Sequence, residues 1–432
     1  MPEESTTPVK QRRPVREPTL LVLAGSFAAL EGYDLACYGT TVPSLLADKS
    51  MGMTPGTAGT AGALVAVGMM LGAAAAAALI TRLGSRKLLF LGAIIFSLGM
   101  IGCGIAPGVA VFGGARFIVG LGLGAVLPTL LAYVSAMSQA GRKARNVGIT
   151  MAGYAAGALA APLLAAALLP GASWRWIYII GVAPAFVLLP IAWRMLPEDP
   201  TPSAASAAAT AADSHGGGQL GGLRPLFGSG IALATILFWV MSFCGLLLVF
   251  GISAWLPTIM QTSGYSLGSS LLQTAVMWVG AGVGMIVGGR IADAFGAKPV
   301  VATAFSLGCI SLLIMSTAPS LGVLYVLMFF SGLGFIGSQV LTNAYIVTAY
   351  PEHLRGPAIG WALSIGRLGA IVGPLLGGVI LSSGLSVQWN FYAFAIPAAV
   401  GVIATLLVPK VIGRSAGNNT SVTDTAERQQ SV

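Results

Sequence analysis

The feature that most constrains this chain is a series of long apolar runs, each bounded by charge, proline or clustered glycine. A helix rising ~1.5 Å per residue needs ~20 apolar residues to cross a bilayer. Only 8% of the residues are charged, against about 25% in soluble proteins. We therefore predict an all-α polytopic membrane protein with twelve transmembrane helices. The spans are 19–47, 57–80, 88–106, 108–138, 146–170, 175–196, 229–256, 266–290, 298–317, 321–350, 356–384 and 388–411.

The basic residues indicate the orientation, because Lys and Arg collect in cytoplasmic loops. Of the 22 Lys and Arg, two (Arg116 and Arg367) lie inside spans and two (Lys49 and Arg175) lie on outer connections, which leaves 18 on the tails and even-numbered connections. We predict a multi-pass protein of the cytoplasmic membrane with both termini inside. These residues are dispersed among loops, so the net charge of +9 does not indicate a nucleic-acid partner.

The chain divides into five parts. We expect a cytoplasmic tail at 1–18, a six-helix bundle at 19–196, a cytoplasmic linker at 197–228, a second six-helix bundle at 229–411 and a tail at 412–432. The linker is rich in Ala, Ser, Gly and Pro, which is typical of a flexible connection, and we expect its His215 to be solvated. Residues 350–355 are expected to form a short cytoplasmic loop in which His353 caps a helix.

The halves repeat with a constant offset of 212 residues. This shift overlays Gly84 on Gly296, Gly120 on Gly332 and Gly157 on Gly369. A shared offset in separate regions indicates two bundles that descend from one unit, with a site near the midplane between them. We expect the glycines to serve close helix packing rather than contact with a ligand.

Two acids, Glu31 and Asp34, lie midway along the first span. An ionised acid at this depth costs ~2.5 to 3.5 kcal/mol even on lenient insertion scales, so the pair indicates a function. Residues three apart share a helix face. Two like charges in a poor dielectric do not both ionise easily, so the pair can hold a proton. We expect Asp34 to be the obligatory proton carrier, while the alternative is that the acids only neutralise Arg116 or Arg367.

Arg367 lies near the midplane of the eleventh span. A guanidinium does not neutralise itself by losing a proton, so it needs a fixed anionic partner or an anionic ligand that comes and goes. Its planar fork suits a carboxylate, and we expect it to anchor an organic acid. A fixed bridge to Asp34 is the alternative. For Arg116 we expect a role inside its bundle or in proton relay.

Further lining residues are expected among polar and aromatic side chains within the spans. They are Tyr33, Tyr38, Gln339, Asn343 and Trp361. Cys37, Cys103, Cys244 and Cys309 lie in apolar segments without metal-site spacing, so we expect core cysteines, no metal and no cofactor.

The motifs resemble the major facilitator superfamily and, within it, the aromatic acid:proton symporters, over residues 19–411. Glu31-Gly32-Tyr33-Asp34 is similar to the first-helix motif D-G-[FY]-D. Arg116 through Gly124 with Pro128 resembles R-F-x-x-G-x-G-x-G-x-x-x-P, and Gly366 through Ala370 is similar to the eleventh-helix run of that branch. Ala136 departs from the glutamate that relatives often carry there.

The loop signature of the superfamily, G-x-x-x-D-R-x-G-R-R, also occurs twice. The first copy keeps Arg82, Gly84 and Arg86 but has Thr81 in place of the aspartate. The second copy keeps Gly289, Asp293 and Gly296. The resemblance therefore implies that gating depends on Asp293 more than on the first copy.

The resemblance implies proton-coupled uptake of an aromatic anion such as benzoate or a hydroxybenzoate by alternating access, by a protein acting as a monomer in the lipid bilayer. A proton-coupled exporter of drugs or of other organic acids is the first alternative, although Arg367 argues against cationic drugs. A transport-dead sensor is the second. An enzyme is disfavoured because no catalytic set stands out in the sequence.

Overall fold

The computed structural model describes residues 17–139, 141–197, 223–228 and 231–409. Within these ranges, eleven helices are long and apolar enough to cross a membrane. They are α1 (Glu17–Ala47), α2 (Pro55–Ile105), α3 (Val109–Met137), α4 (Lys143–Leu168), α5 (Arg175–Met195), α6 (Ala232–Thr262), α7 (Leu267–Phe295), α8 (Ala297–Met315), α9 (Leu321–Ala349), α10 (Glu352–Ser382) and α11 (Gln388–Leu407). Most of the predicted tails and linker, including His215, lies outside the described residues.

Helix α2 supplies two membrane crossings. Its 51 residues exceed one bilayer crossing by far. At Gly84 the backbone leaves the helical region, with φ 77° and ψ 158°, a conformation that glycine adopts more easily than other residues. Helix α3 packs on both legs, since Gly120 approaches the Val65 carbonyl and Gly122 approaches the Gly92 carbonyl. With two legs in α2, the described helices confirm the prediction of twelve crossings.

The repeat holds at the level of single contacts. In the first bundle, a side chain added at certain glycines would collide with the backbone of a neighbouring residue. In the second bundle, the two residues 212 positions later form the same close pair. Gly120 approaches Val65 as Gly332 approaches Met277, Gly68 approaches Phe117 as Gly280 approaches Phe329, and Gly122 approaches Gly92 as Gly334 approaches Ala304. Gly296, the counterpart of Gly84, also has a positive φ of 89° and separates α7 from α8. These contacts confirm the packing role expected for the glycines.

The two bundles touch at the end that the basic residues assign to the outside. There Gly39 of α1 lies against Ser253 of α6. A side-chain carbon at Gly59 of α2 would lie 2.8 Å from the carbonyl oxygen of Pro374 on α10. Glycine at both positions lets the backbones approach closely. We call these two contacts the outer seal.

Several helix ends differ from the prediction by a few residues, and α7 ends at Phe295 instead of 290. Two further cases have a clear physical reason. Helix α6 runs through Pro257 to Thr262 instead of ending at 256, because a membrane helix tolerates an internal proline when its neighbours satisfy the backbone. Helix α10 begins at Glu352 instead of 356, and an acid in the first turn interacts favourably with the helix dipole. His353 is therefore in the first turn of α10 and not in a loop.

Candidate functional site

A buried ion pair joins Asp34 of α1 to Arg116 of α3. Arg116 Nη1 donates to Asp34 Oδ1 at 2.7 Å, and the two side chains are 3% and 1% exposed. Both residues belong to the first bundle, so Arg116 has the bundle-internal position expected for it. The alternative of a fixed bridge between Asp34 and Arg367 is wrong, because Arg116 is the partner of Asp34.

Tyr38 connects this ion pair to the outer seal. The guanidinium carbon of Arg116 lies 4.7 Å from the centre of the Tyr38 ring. The Tyr38 hydroxyl donates to the carbonyl oxygen of Ala58 in α2. A cavity of about 10 Å³, close to the minimum for one water molecule, is lined by Tyr38, Arg116 and Pro374 of the opposite bundle. Tyr38 therefore lies beside the outer seal, and its hydroxyl is engaged within the first bundle.

Glu31 has a different environment, although it lies only one turn from Asp34. It is 4% exposed and interacts electrostatically with both Asp34 and Arg367. Its Oε2 has no hydrogen-bond partner among the residues that the structure describes. Arg367 belongs to α10, so this electrostatic attraction acts between the two bundles.

Helices α6, α9 and α10 supply the polar and aromatic residues around Arg367. Gly366, the residue before Arg367, lies against the backbone of Ser242 on α6. Gln339 of α9 places its amide oxygen against Gly245 of α6. Four of the six sequence candidates for substrate binding therefore lie on α9 and α10 of the second bundle, namely Gln339, Asn343, Trp361 and Arg367.

Trp361 stacks on a second tryptophan. Its ring centre is 6.0 Å from that of Trp239 on α6, with the planes inclined by 33°. The aromatic pair lies on α6 and α10, the helices that carry Ser242 and Arg367. It provides a flat apolar surface next to the polar residues.

Tyr33 is held within the first bundle. Its hydroxyl donates to the carbonyl oxygen of Ile177 in α5 at 2.7 Å, and its ring lies against Gly181. The side chain is 7% exposed within the first bundle. These contacts engage Tyr33 within the first bundle, and its role in lining the substrate site stays a prediction.

The loop-motif residues lie away from this site. Arg86 of α2 donates to the carbonyl oxygen of Trp193, and its guanidinium lies 4.6 Å from the centre of that ring. Its counterpart Lys298 donates to the carbonyl oxygen of Val408 at 2.6 Å. These contacts attach each motif to the last helix of its own bundle. Arg82 and Asp293 are exposed, and the gating role of Asp293 stays a prediction.

Ser242, Trp239 and Gly245 are residues that the sequence reasoning missed. The internal repeat could have indicated Ser242, because the offset of 212 places Phe243 over Glu31 and so puts Ser242 beside that position. Trp239 and Gly245 carry no comparable signal. The described residues contain no cluster of three or more His, Cys, Asp or Glu that could hold a metal ion.

Comparison with known proteins shows that this chain is similar to membrane transporters. The family profile described as Major Facilitator Superfamily matches residues 25–287 and 267–429. A gentisate transporter of Corynebacterium glutamicum is 34% identical over 381 residues, which is 88% of this chain and 84% of the relative. A benzoate transport protein of Acinetobacter baylyi is 31% identical over 90% of this chain and 89% of its own length. A gallate transporter of Pseudomonas putida is 30% identical over 90% of each chain.

Solved structures agree on the fold. A crystal structure of a D-xylose-proton symporter superposes with a TM-score of 0.74 at 20% identity, covering 91% of this chain and 97% of its own. A xylose transporter from Escherichia coli in a partially occluded, inward-open conformation gives a TM-score of 0.71 at 18% identity, covering 93% and 99%.

Proposed function

The chain belongs to the major facilitator superfamily and is a membrane transporter, not an enzyme, and we propose that it carries an aromatic carboxylate into the cell together with a proton. Benzoate or a hydroxybenzoate is the substrate class. Support comes from relatives of nearly full length whose names refer to gentisate, benzoate and gallate, all of which are aromatic carboxylates. We further propose a multi-pass arrangement in the cytoplasmic membrane with both termini inside, as the distribution of basic residues favours.

The observation that carries the proposal is that Glu31, buried in the first bundle, and Arg367, on the second, attract each other electrostatically. Arg367 stays charged and can bind a carboxylate with two parallel hydrogen bonds. The carboxylate of the substrate and that of Glu31 carry the same charge and compete for the same guanidinium. Protonation of Glu31 removes the competitor, so the anion and the proton bind together.

The Asp34–Arg116 pair has a second task in this scheme. Asp34 repels a charge on Glu31 while it is itself held by Arg116. We keep Asp34 as the obligatory carrier: the proton binds Asp34 first, and Asp34 then releases Arg116, whose contact with Tyr38 reaches the outer seal. The proton next passes to Glu31, so that Glu31 is neutral when the anion occupies Arg367. The proton state is in this way linked to the bundle contact that must open and close during alternating access.

Coupling to one proton would make the transport of a monoanion electroneutral. The driving force is then the pH gradient, ~1.4 kcal/mol or tenfold accumulation per pH unit. Export of a cationic drug is disfavoured, because such a cargo would have to lie beside Arg367. An organic-acid exporter of the same superfamily would use the same anchor in the opposite direction.

The test is uptake of labelled benzoate and hydroxybenzoates into proteoliposomes with an imposed pH gradient, alkaline inside. We expect accumulation that a protonophore abolishes. Exchange of labelled for unlabelled acid should persist without a gradient, because exchange needs binding and rocking but no net proton flux. If no aromatic acid is accumulated or exchanged, the proposed substrate class is wrong. If accumulation is unaffected by the protonophore, proton coupling is wrong.

A further inference from the structure

Arg116 is a permanent charge whose anionic partner is lost when Asp34 takes up a proton. Its Nη1 donates to Asp34 Oδ1 at 2.7 Å, while its Nε has no hydrogen-bond partner among the residues that the structure describes. A guanidinium keeps its charge in a protein. Once protonated Asp34 releases it, Arg116 becomes a buried cation without an anion, which is strongly destabilising. A second acceptor near the ion pair would make this release possible.

Two buried hydroxyls lie on the outer side of the ion pair. Tyr178 Oη on α5 and Thr41 Oγ1 on α1 are 2.9 Å apart, and both residues are fully buried. Thr41 follows Asp34 by seven residues, so it lies two turns, ~10 Å, nearer the outer end of α1. Arg116 interacts electrostatically with Tyr178 as well as with Asp34. The phenolic hydroxyl is therefore within range of the guanidinium charge.

Aromatic contacts fix the tyrosine beside the arginine. The Tyr178 ring packs edge-on against Phe112 of α3, with 5.7 Å between the ring centres. Phe112 lies one turn from Arg116 on the same face of α3, and its ring centre is 6.3 Å from that of Tyr38, beside which the guanidinium lies. Trp174 packs edge-on against both Phe112 and Tyr178. The phenol is held in place by this cluster, so the long arginine side chain is the part that can move.

The hydrogen bonds of Thr41 leave the Tyr178 oxygen able to accept. Thr41 Oγ1 lies 3.0 Å from the carbonyl oxygen of Cys37 and 2.9 Å from that of Tyr38, and donation to either uses its single proton. Thr41 then accepts from Tyr178. The phenolic oxygen keeps its own lone pairs for a further donor, and an arginine N–H is such a donor.

The internal repeat links the tyrosine to the arginine. At the offset of 212, Arg116 corresponds to Met328 and Tyr178 to Asn390. The bundle that has no arginine at this position also has no tyrosine, whereas the close glycine contacts recur in both bundles. This pattern favours a role of Tyr178 toward Arg116 over a role in helix packing alone.

We propose that Tyr178 is a positioning residue that receives Arg116 when protonated Asp34 lets it go. This inference rests on the proposed function and adds to it a second position of the arginine. A hydrogen bond from the guanidinium to the phenolic oxygen stabilises the state in which Asp34 holds the proton. That proton comes from the outer solution, and Arg116 and Tyr178 keep their own protons throughout.

Other ionisable groups also surround the ion pair. Those that interact electrostatically with Asp34 or Arg116 are Glu31, Tyr33, Cys37 and Tyr38 on α1, Cys103 on α2 and Tyr154 on α4. Cysteine and tyrosine side chains are neutral in a mildly acidic transport assay, so Glu31 is the member of this set that can change its charge there. A Tyr178→Phe variant leaves Glu31 unchanged.

The experiment measures the initial rate of uptake of labelled benzoate or 4-hydroxybenzoate, whichever the native protein accumulates faster, into proteoliposomes. The outside pH is varied at a constant pH difference across the membrane and stays above about 5.5, where the acid is ionised. For Tyr178→Phe we expect the pH of half-maximal rate to fall by about one unit, a tenfold change in proton concentration or ~1.4 kcal/mol. The half-saturation concentration for exchange at the pH of maximal rate should stay native, because Glu31 and Arg367 are unchanged.

Tyr133→Phe is the matched control. Tyr133 is a buried tyrosine of the same bundle, and its hydroxyl donates to the carbonyl oxygen of Pro197 at 2.9 Å. We expect this variant to keep the native pH profile. Thr41→Val removes the hydroxyl that holds the Tyr178 hydroxyl in place and should shift the profile in the same direction by a smaller amount.

The outcomes separate the two proposals. If the native protein accumulates no aromatic acid, the proposed function fails, and this inference fails with it. If it accumulates the acid but Tyr178→Phe keeps the native pH profile or shifts it upward, only the role of Tyr178 is overturned. An equal shift in Tyr133→Phe, or a tenfold loss of affinity for the acid in Tyr178→Phe, also overturns that role. Should Tyr178→Phe not reach the membrane, Thr41→Val decides: a downward shift supports the inference and a native profile overturns it.

Discussion

At the positions where the first bundle has Glu31 and Asp34, the second bundle has Phe243 and Leu246. The glycine contacts that hold the helices together, in contrast, recur residue for residue at the same offset of 212. Glycine is retained because a side chain would collide with a neighbouring backbone in either bundle. The buried charges can diverge, since each needs only one partner and the partner can come from either bundle.

The arginines show the same asymmetry. Arg116 is replaced in the second bundle by Met328, and Arg367 corresponds to Ala155 in the first. The first bundle therefore contains a closed ion pair and one further acid, while the second contains the guanidinium that this acid faces. In the proposed mechanism the first bundle binds the proton and the second binds the anion, so the two events are coupled only through the contact between the bundles. The following changes test that division.

The largest effect is expected for Arg367→Ala. Removal of a charge-assisted hydrogen bond of about 1.5–3 kcal/mol should weaken anion binding by about 10-fold to 150-fold, and loss of the bidentate fork should make Arg367→Lys weak as well. The measurement is the half-saturation concentration for exchange. Arg194→Ala, at the exposed end of α5, is the control. If Arg367→Ala kept the native affinity for the anion, Arg367 would not be the residue that anchors it.

Asp34→Asn should abolish accumulation driven by the pH gradient, a loss of about tenfold per pH unit. The single change also leaves Arg116 as an unpaired buried charge, which typically costs 3–5 kcal/mol. The double variant Asp34→Asn with Arg116→Gln removes both charges and should restore the amount of protein in the membrane without restoring accumulation. Protonophore-sensitive accumulation in the double variant would show that the proton is carried elsewhere.

Glu31→Gln should make anion affinity independent of pH. In the native protein, lower pH protonates Glu31 and frees Arg367, so affinity should rise as pH falls, by up to tenfold per unit, while the substrate stays ionised. Binding measured across pH checks this. The control is Glu17→Gln, the same change at the start of α1, where Glu17 pairs with Arg142 at 2.8 Å. This variant should keep the native dependence of affinity on pH. If the affinity of Glu31→Gln still depended on pH, Glu31 would not be the group that controls anion binding at Arg367.

The smallest effect is expected at the outer seal, where the bundles meet without charge. Gly59→Val places a side chain against Pro374 and Gly378 of α10, so closure of the outer side should become harder and exchange several-fold slower at unchanged affinity. Gly114→Val, at a position open to its surroundings, is the control. A native exchange rate in Gly59→Val would mean that this contact is not part of the transport cycle.

Much of the fold could be predicted because each membrane crossing is a local property. Apolar length fixes a span, and the repeat of Gly84 at Gly296 fixes where the chain turns in both bundles. The errors lie at helix ends, such as Pro257 in α6, where packing against neighbours decides whether a proline is tolerated.

The candidate site could be predicted only in part. The four ionisable residues in the middle of predicted spans, Glu31, Asp34, Arg116 and Arg367, stand out in an apolar sequence. Gln339 and Asn343 are polar residues at a similar depth. Tyr33 looked equally suitable, yet its ring turns into the first bundle toward Ile177. Depth along a helix can be read from the sequence, whereas the direction of a side chain around the helix depends on which helices surround it.

The sequence by itself determined that this chain crosses the membrane twelve times in two related bundles, because bilayer thickness and hydrophobicity act on each segment separately. It also determined which ionisable residues lie in the membrane. Only the tertiary structure decided that Asp34 pairs with Arg116, while Glu31 is left without that partner and is attracted electrostatically to Arg367 of the other bundle. Two acids one helical turn apart are nearly equivalent in sequence, and the ion pair that α3 supplies to one of them makes them different.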